Sequence, residues 1–366
     1  MSKKFSLVPA VLAIVFSLAG SVQANAAKSD TKSSEKIERS MPVDPRASIT
    51  LCVMSGTLVV RGWEKSEIRA RATDADQLDF RRIDKVKDGS TPATRIDVMV
   101  LDQQGPRGDC HAIADVEMDV PKEATVQVQT RDGDIFITGV GGAFAGSQNG
   151  DITIERATKF VEAGSVGGSI FLKDSTGRIN LSSAGGGVEA VNVKPVAADD
   201  TFEVGTVSGD IQLDRVSNTN VSAKTVNGTV SMTGPLAKEG QYVFTTMGGD
   251  VVLKMPLDAS FSLTARLSAQ GNIVSDFPLK YLPETPSPPV AKVEPAPEAK
   301  TKEKSAKLEK GPKGELGPKT GPIIAPVVVV KPVIVNPFRR IRAICGSGDA
   351  SISLSSFGGT LHLKKM

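Results

Sequence analysis

Four aspartates of this chain, Asp134, Asp151, Asp210 and Asp250, stand in one local phrase, with a glycine before and an aliphatic residue after. Acids that recur in register offer two kinds of chemistry. Two carboxylates brought close repel, and a cation or a retained proton relieves the repulsion, which makes a metal site or an acid–base pair. At a turn the same residues have a quieter use, accepting hydrogen bonds from nearby backbone N–H groups. Asp134 and Asp151 are the two that become direct neighbours if each phrase starts a coil, so they are the candidates for a metal or an acid pair. The turn role is the stronger reading, because Ser169, Val188, Thr229 and Asn272 take the equivalent places elsewhere.

Other catalytic material is sparse. Beyond Lys3 and Lys4 the chain carries two histidines, His111 and His362, and any Ser–His or Cys–His arrangement must use one of them. His111 follows Cys110, but adjacent strand residues point to opposite faces. No GxxxxGK[ST], HExxH, CxxC or calcium-binding nonapeptide occurs, and clusters such as "GVGG" lack a strand–turn–helix setting. No catalytic residue and no cofactor site is assigned, and the chain is read as not an enzyme. A formal net charge of +3 and 4% aromatic residues argue against nucleic acid as a partner. Arg156, Lys173, Arg215, Lys254 and Lys364 recur near strand ends, mostly with an opposite or like charge close by.

The elements that would position these residues follow from the glycine of the phrase. An aliphatic residue stands at Gly+2 and again at Gly+4: Ile135 and Ile137 after Gly133, Ile152 and Ile154 after Gly150, Ile211 and Leu213 after Gly209. A spacing of two puts both on one face of a strand. Successive anchors Gly133, Gly150, Gly168, Gly187, Gly209, Gly228, Gly249 and Gly271 are 17 to 22 residues apart. A period near 20 with one or two short strands per repeat predicts an all-β, parallel β-solenoid (β-helix) of roughly 20-residue coils. Gly133, Gly150, Gly168, Gly209, Gly228 and Gly249 are then structural corners, where glycine accepts a positive φ. Asn-Gly and Asp-Gly also open hairpins, so an antiparallel sandwich is the alternative. The constant phase of the phrase favours the solenoid.

The rest of the chain divides by composition. Residues 1–26 read as a signal peptide: Lys3 and Lys4, an apolar run from Phe5 to Ala19, and a small-x-small site at Ala24-Asn25-Ala26. No other stretch is long and apolar enough to span a bilayer. Residues 27–46 are polar and charged and read as a flexible leader. Residues 47–129 alternate at period two and form an N-terminal β-strand region that caps or starts the solenoid. The repeats occupy 130–280. Residues 281–338 form a disordered insertion rich in Pro, Lys and Glu, with 9 Pro, 8 Lys and 6 Glu in the 40 residues from Pro283 to Pro322. Residues 339–366 return to the repeat phrase as a closing coil. Of Cys52, Cys110 and Cys345, the first two fall in the N-terminal β region and are the preferred disulfide in an oxidising compartment; three small buried apolar residues are the other reading.

Three segments carry a family resemblance. "SGTLVVRGWEKSEIRARAT", "ADVEMDVPKEATVQVQTRDGDIFITGVGG" and "SISLSSFGGTLHLKK" resemble the opening strands, the entry to the repeats and the last coil of a bacterial "putative adhesin" family, the domain of unknown function DUF4097. The resemblance covers roughly residues 48–280 and 340–366, and its motifs are structural. It implies an exported, Gly-rich β-solenoid in the periplasm, at the cell surface or outside the cell. The long insertion departs from the family pattern and bears on the geometry of the last coil. The function expected is a non-enzymatic adhesin, or an envelope binding or scaffold protein, whose partner is a surface polysaccharide or protein. The alternatives are an enzyme acting on polysaccharide from acids on a solenoid face, and a structural module that self-associates through an open end.

Overall fold

Aliphatic pairs repeated every 17 to 22 residues can be buried only against the pairs of neighbouring repeats, and the chain does this with strands throughout. The computed structural model describes residues 36–84, 91–101, 110–268, 271–283 and 338–366. The segment read above as a signal peptide, the first part of the expected leader and nearly all of the expected insertion lie outside the described residues. Six strands open the fold: β1 (Lys36–Ser55), β2 (Leu58–Trp63), β3 (Glu67–Thr73), β4 (Gln77–Arg82), β5 (Ala93–Leu101) and β6 (Asp115–Pro121). The repeats follow as strand pairs. These are β7 (Thr125–Asp132) and β8 (Ile135–Thr138), β9 (Gly142–Ser147) and β10 (Ile152–Glu155), β11 (Phe160–Ser165) and β12 (Ile170–Lys173), and β13 (Arg178–Ser183) and β14 (Val188–Val193). Next come β15 (Thr201–Thr206) and β16 (Ile211–Val216), β17 (Asn220–Lys224) and β18 (Val230–Thr233), and β19 (Gln241–Thr246) and β20 (Val251–Met255). The far end holds β21 (Phe261–Ser268), β22 (Ile273–Ser275), β23 (Lys280–Tyr281), β24 (Phe338–Cys345), β25 (Ala350–Ser356) and β26 (Leu361–Lys365).

From β7 to β18, each repeat strand pairs in parallel with the strand two places on, so the coil has two walls. Even-numbered strands from β8 to β20 make one, sheet A, and odd-numbered strands from β7 to β19 make the other, sheet B. After Gly133, Gly150, Gly168, Gly209, Gly228 and Gly249 the phrase enters sheet A. Its first aliphatic position forms a continuous buried column: Ile135, Ile152, Ile170, Val188, Ile211, Val230 and Val251. Sheet B faces it with Val126, Ala143, Val161, Ile179, Phe202, Val221 and Tyr242. Burying one such aliphatic side chain stabilises by about 1.5–3 kcal/mol, but only when the next coil is present to cover it. The fold is therefore an all-β solenoid, as the periodicity predicts.

The ends are woven rather than simply stacked. The coil formed by the second half of β1 with β2 lies between β5 and β6 on one side and β7 and β8 on the other, parallel to both. At the other end β25 and β26, the last coil in the chain, lie between β19 and β20 and β21 and β22. The expected closing coil is thus the penultimate one in space. The terminal edges are covered by antiparallel strands: β3 and the first half of β1 on sheet A, β4 on the near edge of sheet B, and β24 on its far edge. The leader prediction needs correction here, because Lys36–Pro42 is strand. Its polar residues pair with β3, where one face of an edge strand meets solvent and tolerates charge.

Positive φ sits at the corner opposite to the one predicted. The ladder glycines Gly133, Gly150, Gly168, Gly209, Gly228 and Gly249 are not left-handed. The left-handed residues stand near the ends of the sheet A strands instead: Arg156 and Asp174 just past β10 and β12, Asn192 and Arg215 next to the last residue of β14 and β16, with φ of 54, 50, 55 and 53°.

Candidate functional site

The corner that holds the aspartates is built by three residue columns, each tied to the coil below. The first is glycine. A Cβ on Gly133, Gly150, Gly168, Gly209, Gly228 or Gly249 would lie 1.9–2.3 Å from the carbonyl oxygen of the glycine one coil earlier. Close backbone approach is what these positions require. The column also runs through Gly186, not Gly187, and continues from Gly249 to Gly359 because of the woven end.

The second column is aspartate. Asp134 Oδ1 accepts the Asp151 N–H at 2.9 Å, and Asp151 Oδ1 accepts the Ser169 N–H at 2.7 Å. Asp210 and Asp250 do the same for the N–H groups of Thr229 and Thr360, each at 2.7 Å. The metal and acid-pair candidates are therefore brought together, but as inter-coil fasteners. Among the described residues, no group of three or more His, Cys, Asp or Glu is placed to hold a metal ion. The position expected at Val188 belongs to Gly187, whose successor Val188 is core.

The third column escaped sequence reasoning. Ser147, Ser165, Ser183, Thr246 and Ser356 are nearly buried, and each hydroxyl oxygen accepts the N–H of the glycine three residues on at 2.9–3.1 Å. Each also donates to a glycine carbonyl of the previous coil, as Ser165 does to Gly150 O at 3.0 Å. The signal was present as a recurring [ST]-x-x-G before every sheet A strand. Ser165→Ala strands the Gly168 N–H and the Gly150 carbonyl in the interior, and its expected cost is about 1–3 kcal/mol. Ser165→Thr, the residue used at Thr206, Thr225 and Thr246, is expected to retain most of that stability. Urea denaturation of both variants checks the pair.

The remaining candidates separate. Cys52 and Cys110 form a disulfide with Cα atoms 4.6 Å apart, so Cys110 is no nucleophile for the neighbouring His111. Cys345 is buried and free, and burial pushes its thiol pKa up. His362 Nε2 lies 3.9 Å from Asp250 Oδ2.

Among the described residues, the outer face of sheet B carries a surface with the shape to receive a ligand. Outward positions of β7, β9, β11 and β13 place Gln127, Phe144, Glu162 and Asn180 in one column, and Gln129, Gly146, Gly164 and Ser182 in the next. The second column lacks bulk, and the two together line a trough of about 360 Å³. The glycines there differ in kind from the ladder. A Cβ on Gly146 meets nothing nearer than the Gln129 side chain at 3.8 Å, and one on Gly164 meets the Ser182 hydroxyl at 3.4 Å. Backbone packing does not demand them; their effect is to open the trough. Phe144 forms an apolar wall, braced by Phe160 with ring centroids 5.0 Å apart. Phe160 in turn occupies the space that a side chain on Gly142 would fill. Among the described residues, Glu162 is the one charged residue lining the trough. Its members alternate with core residues and carry no periodic hydrophobic signature, which is why the sequence does not mark them.

A smaller notch of about 250 Å³ opens on sheet A where Gly187 interrupts the aspartate column, lined by Asp151, Phe171, Glu189, Asp210 and Gln212 among others. Two of its three carboxylates are the fasteners described above.

The family model described as Toastrack DUF4097 matches residues 48–287. Solved structures with partial similarity include a "putative adhesin" from Parabacteroides merdae ATCC 43184, at 10% identity over 61% of this chain and 90% of that one, with a TM-score of 0.36. A second from Parabacteroides distasonis ATCC 8503 has 11% identity over 61% and 91%, with a TM-score of 0.37. A "putative cell adhesion protein" from Clostridium sporogenes ATCC 15579 has 10% identity over 91% and 100%, with a TM-score of 0.19. No functional argument rests on likenesses this distant. Nothing among the curated proteins matches the chain. The family match spans well over half of the residues and coincides with the solenoid, so the chain belongs to the Toastrack DUF4097 family.

Proposed function

We propose that the protein is an exported, non-enzymatic binding module of the cell envelope or surface, and that the sheet B trough takes an uncharged polysaccharide strand. The trough carries this reading. It runs across four parallel strands, about 14 Å at the usual strand spacing, on a wall that the solenoid holds rigid. Amide and hydroxyl groups of Gln127, Gln129, Asn180 and Ser182 offer donors and acceptors beside the apolar Phe144. A few fixed polar groups around an apolar wall is the usual make-up of a small-molecule or sugar site. Glu162 as the only charge disfavours a polyanion. The disulfide supports export, because such bonds persist in oxidising compartments.

The polysaccharide-cleaving alternative needs free acids converging on a groove. It is disfavoured because Asp134, Asp151, Asp210 and Asp250 each hold a backbone N–H of the next coil. Self-association through the near end is disfavoured because its outermost strands β1 and β4 carry charges, and β1 carries Pro42, both of which hinder edge pairing.

The test is glycan-array binding of the protein and of Gly146→Arg, which places a long side chain in the trough without touching the coil interior. Retention of the parent glycan falls at least tenfold while the denaturation midpoint is unchanged. Undiminished binding by Gly146→Arg would remove the trough from consideration.

A further inference from the structure

We propose that the far end of the stack, where β21, β23 and β24 meet, docks on an anionic phospholipid surface. The antiparallel register of β21 and β24 sets Arg266 directly opposite Arg340 and Thr264 opposite Arg342. Like charges directly opposed in an antiparallel pair are destabilising. Arg266 and Arg340 are exposed and make no hydrogen bond or ion pair among the described residues. Among the described residues no carboxylate stands between the two, which leaves room for an external anion.

The surrounding composition points the same way. Residues 256–283 and 338–366 contain seven Lys and Arg against three Asp and no Glu, in a chain of formal net charge +3. Two of those aspartates are engaged elsewhere: Asp276 accepts the Lys365 N–H and Asp349 accepts the Ser347 hydroxyl. The patch is also apolar at its rim. β23 pairs with β24 through Lys280 and Tyr281, and the Leu282 N–H donates to Arg342 O at 2.9 Å. Tyr281 is 64% exposed and Leu282 41%.

Exposed Tyr and Leu beside the cationic side chains of Arg266, Lys280, Arg340 and Arg342 suit an interface with lipid. There the cations meet headgroup phosphates and the apolar groups enter the acyl boundary. A soluble acidic polymer would use the arginines and gain nothing from Leu282. Guanidinium forks also match phosphate oxygens bidentately. This surface is separate from the sheet B trough in place and in charge, so neither proposal depends on the other.

Vesicle flotation tests it, using the full chain and vesicles of phosphatidylcholine with or without phosphatidylglycerol. The parent protein is expected to float with the anionic vesicles and not with the neutral ones. Binding is lost at 1 M salt, where screening shortens to about 3 Å. Each arginine near such a surface contributes a factor of about five, so Arg340→Gln lowers the partition coefficient about fivefold. The triple variant Arg266→Gln, Arg340→Gln, Arg342→Gln lowers it on the order of 100-fold. Tyr281→Ser with Leu282→Ser also weakens flotation, which a purely electrostatic polymer site would not. All variants share one N-terminus, so differences among them belong to the patch. If the triple variant does not fold, the single Arg340→Gln carries the test, since removing an opposed like charge does not destabilise. Equal binding to neutral vesicles, no binding to either, or undiminished binding by the arginine variants overturns the proposal. So does capture on an acidic polysaccharide such as polygalacturonate without flotation.

Discussion

Gly150→Val abolishes cooperative folding of the solenoid, and Gly150→Ala costs more than about 3 kcal/mol, while Gly146→Ala four residues earlier is neutral or slightly stabilising. Both glycines sit in the same coil, and neither is left-handed. They differ in what a methyl group would meet. At Gly150 a Cβ lies 1.9 Å from the Gly133 carbonyl oxygen and 2.4 Å from its carbon. These are backbone atoms, fixed by the hydrogen bonds that stack one coil on the next. Relief would have to widen the spacing between β8 and β10, which the Ile135–Ile152 and Ile137–Ile154 pairings hold. It would also pull Gly150 N from the Ser147 hydroxyl, now at 2.9 Å, and the Asp151 N–H from Asp134. At Gly146 the nearest atom is a flexible glutamine carbon at 3.8 Å. Replacing glycine there only narrows the conformations of the unfolded chain, worth about 0.4–1 kcal/mol in favour of folding. Urea denaturation of the three proteins measures the contrast, and equal midpoints for Gly150→Ala and Gly146→Ala would refute the backbone-contact account.

That contrast also explains what could be read from the chain in advance. Sheet A was legible because Ile135 and Ile137, and their counterparts after each glycine, keep a strict spacing of two under a single anchor. Sheet B was less so. Its core positions vary from Ala143 to Tyr242 in size, and β9 opens with glycines rather than β-branched residues. The role of the anchor glycine was misread, because sequence shows only that glycine is wanted. It cannot distinguish positive φ from a carbonyl 2 Å away. Conversely, the left-handed corner is occupied by Arg156, Asp174, Asn192 and Arg215; Asp and Asn favour that conformation, but the two arginines give no sign of it. Asp134 and Asp151 are neighbours in the stack, but their hydrogen-bond partners are backbone groups, which no residue code displays. The woven ends were out of reach for another reason. "SGTLVVRGW" and "SFGGTLHLKK" are legible as repeat phrases, yet their place in the stack depends on pairing between strands remote in sequence. The arginines of the far end look unremarkable in the string, because Arg266 and Arg340 are opposed only through the register of β21 with β24.

The disulfide acts on the woven near end. Cys52 lies in the half of β1 that sits between β5 and β7, and Cys110 lies just before β6, the strand that flanks β2. The bond closes a loop with a sequence separation of 58 that contains β2, β3, β4 and β5. Without it, the inserted first coil is held by pairing alone, and the unfolded chain regains the entropy of an open loop of that length. The loop-entropy relation gives about 4 kcal/mol, and native disulfides in practice contribute about 2–5 kcal/mol. Because repeat arrays lose structure locally, the loss should fall on the near end first. Cys52→Ala with Cys110→Ala is therefore expected to lower the stability of residues 36–121 by about 2–4 kcal/mol. Hydrogen exchange in β1, β2 and β6 accelerates accordingly, while β12, β14 and β16 keep their protection. A thiol count in denaturant supplies the internal standard, since Cys345 is the single free cysteine of the parent. One reactive thiol before reduction and three after it confirm the bond in solution. If oxidised and reduced proteins then share one urea midpoint and one exchange pattern, the disulfide does not hold the first coil in place.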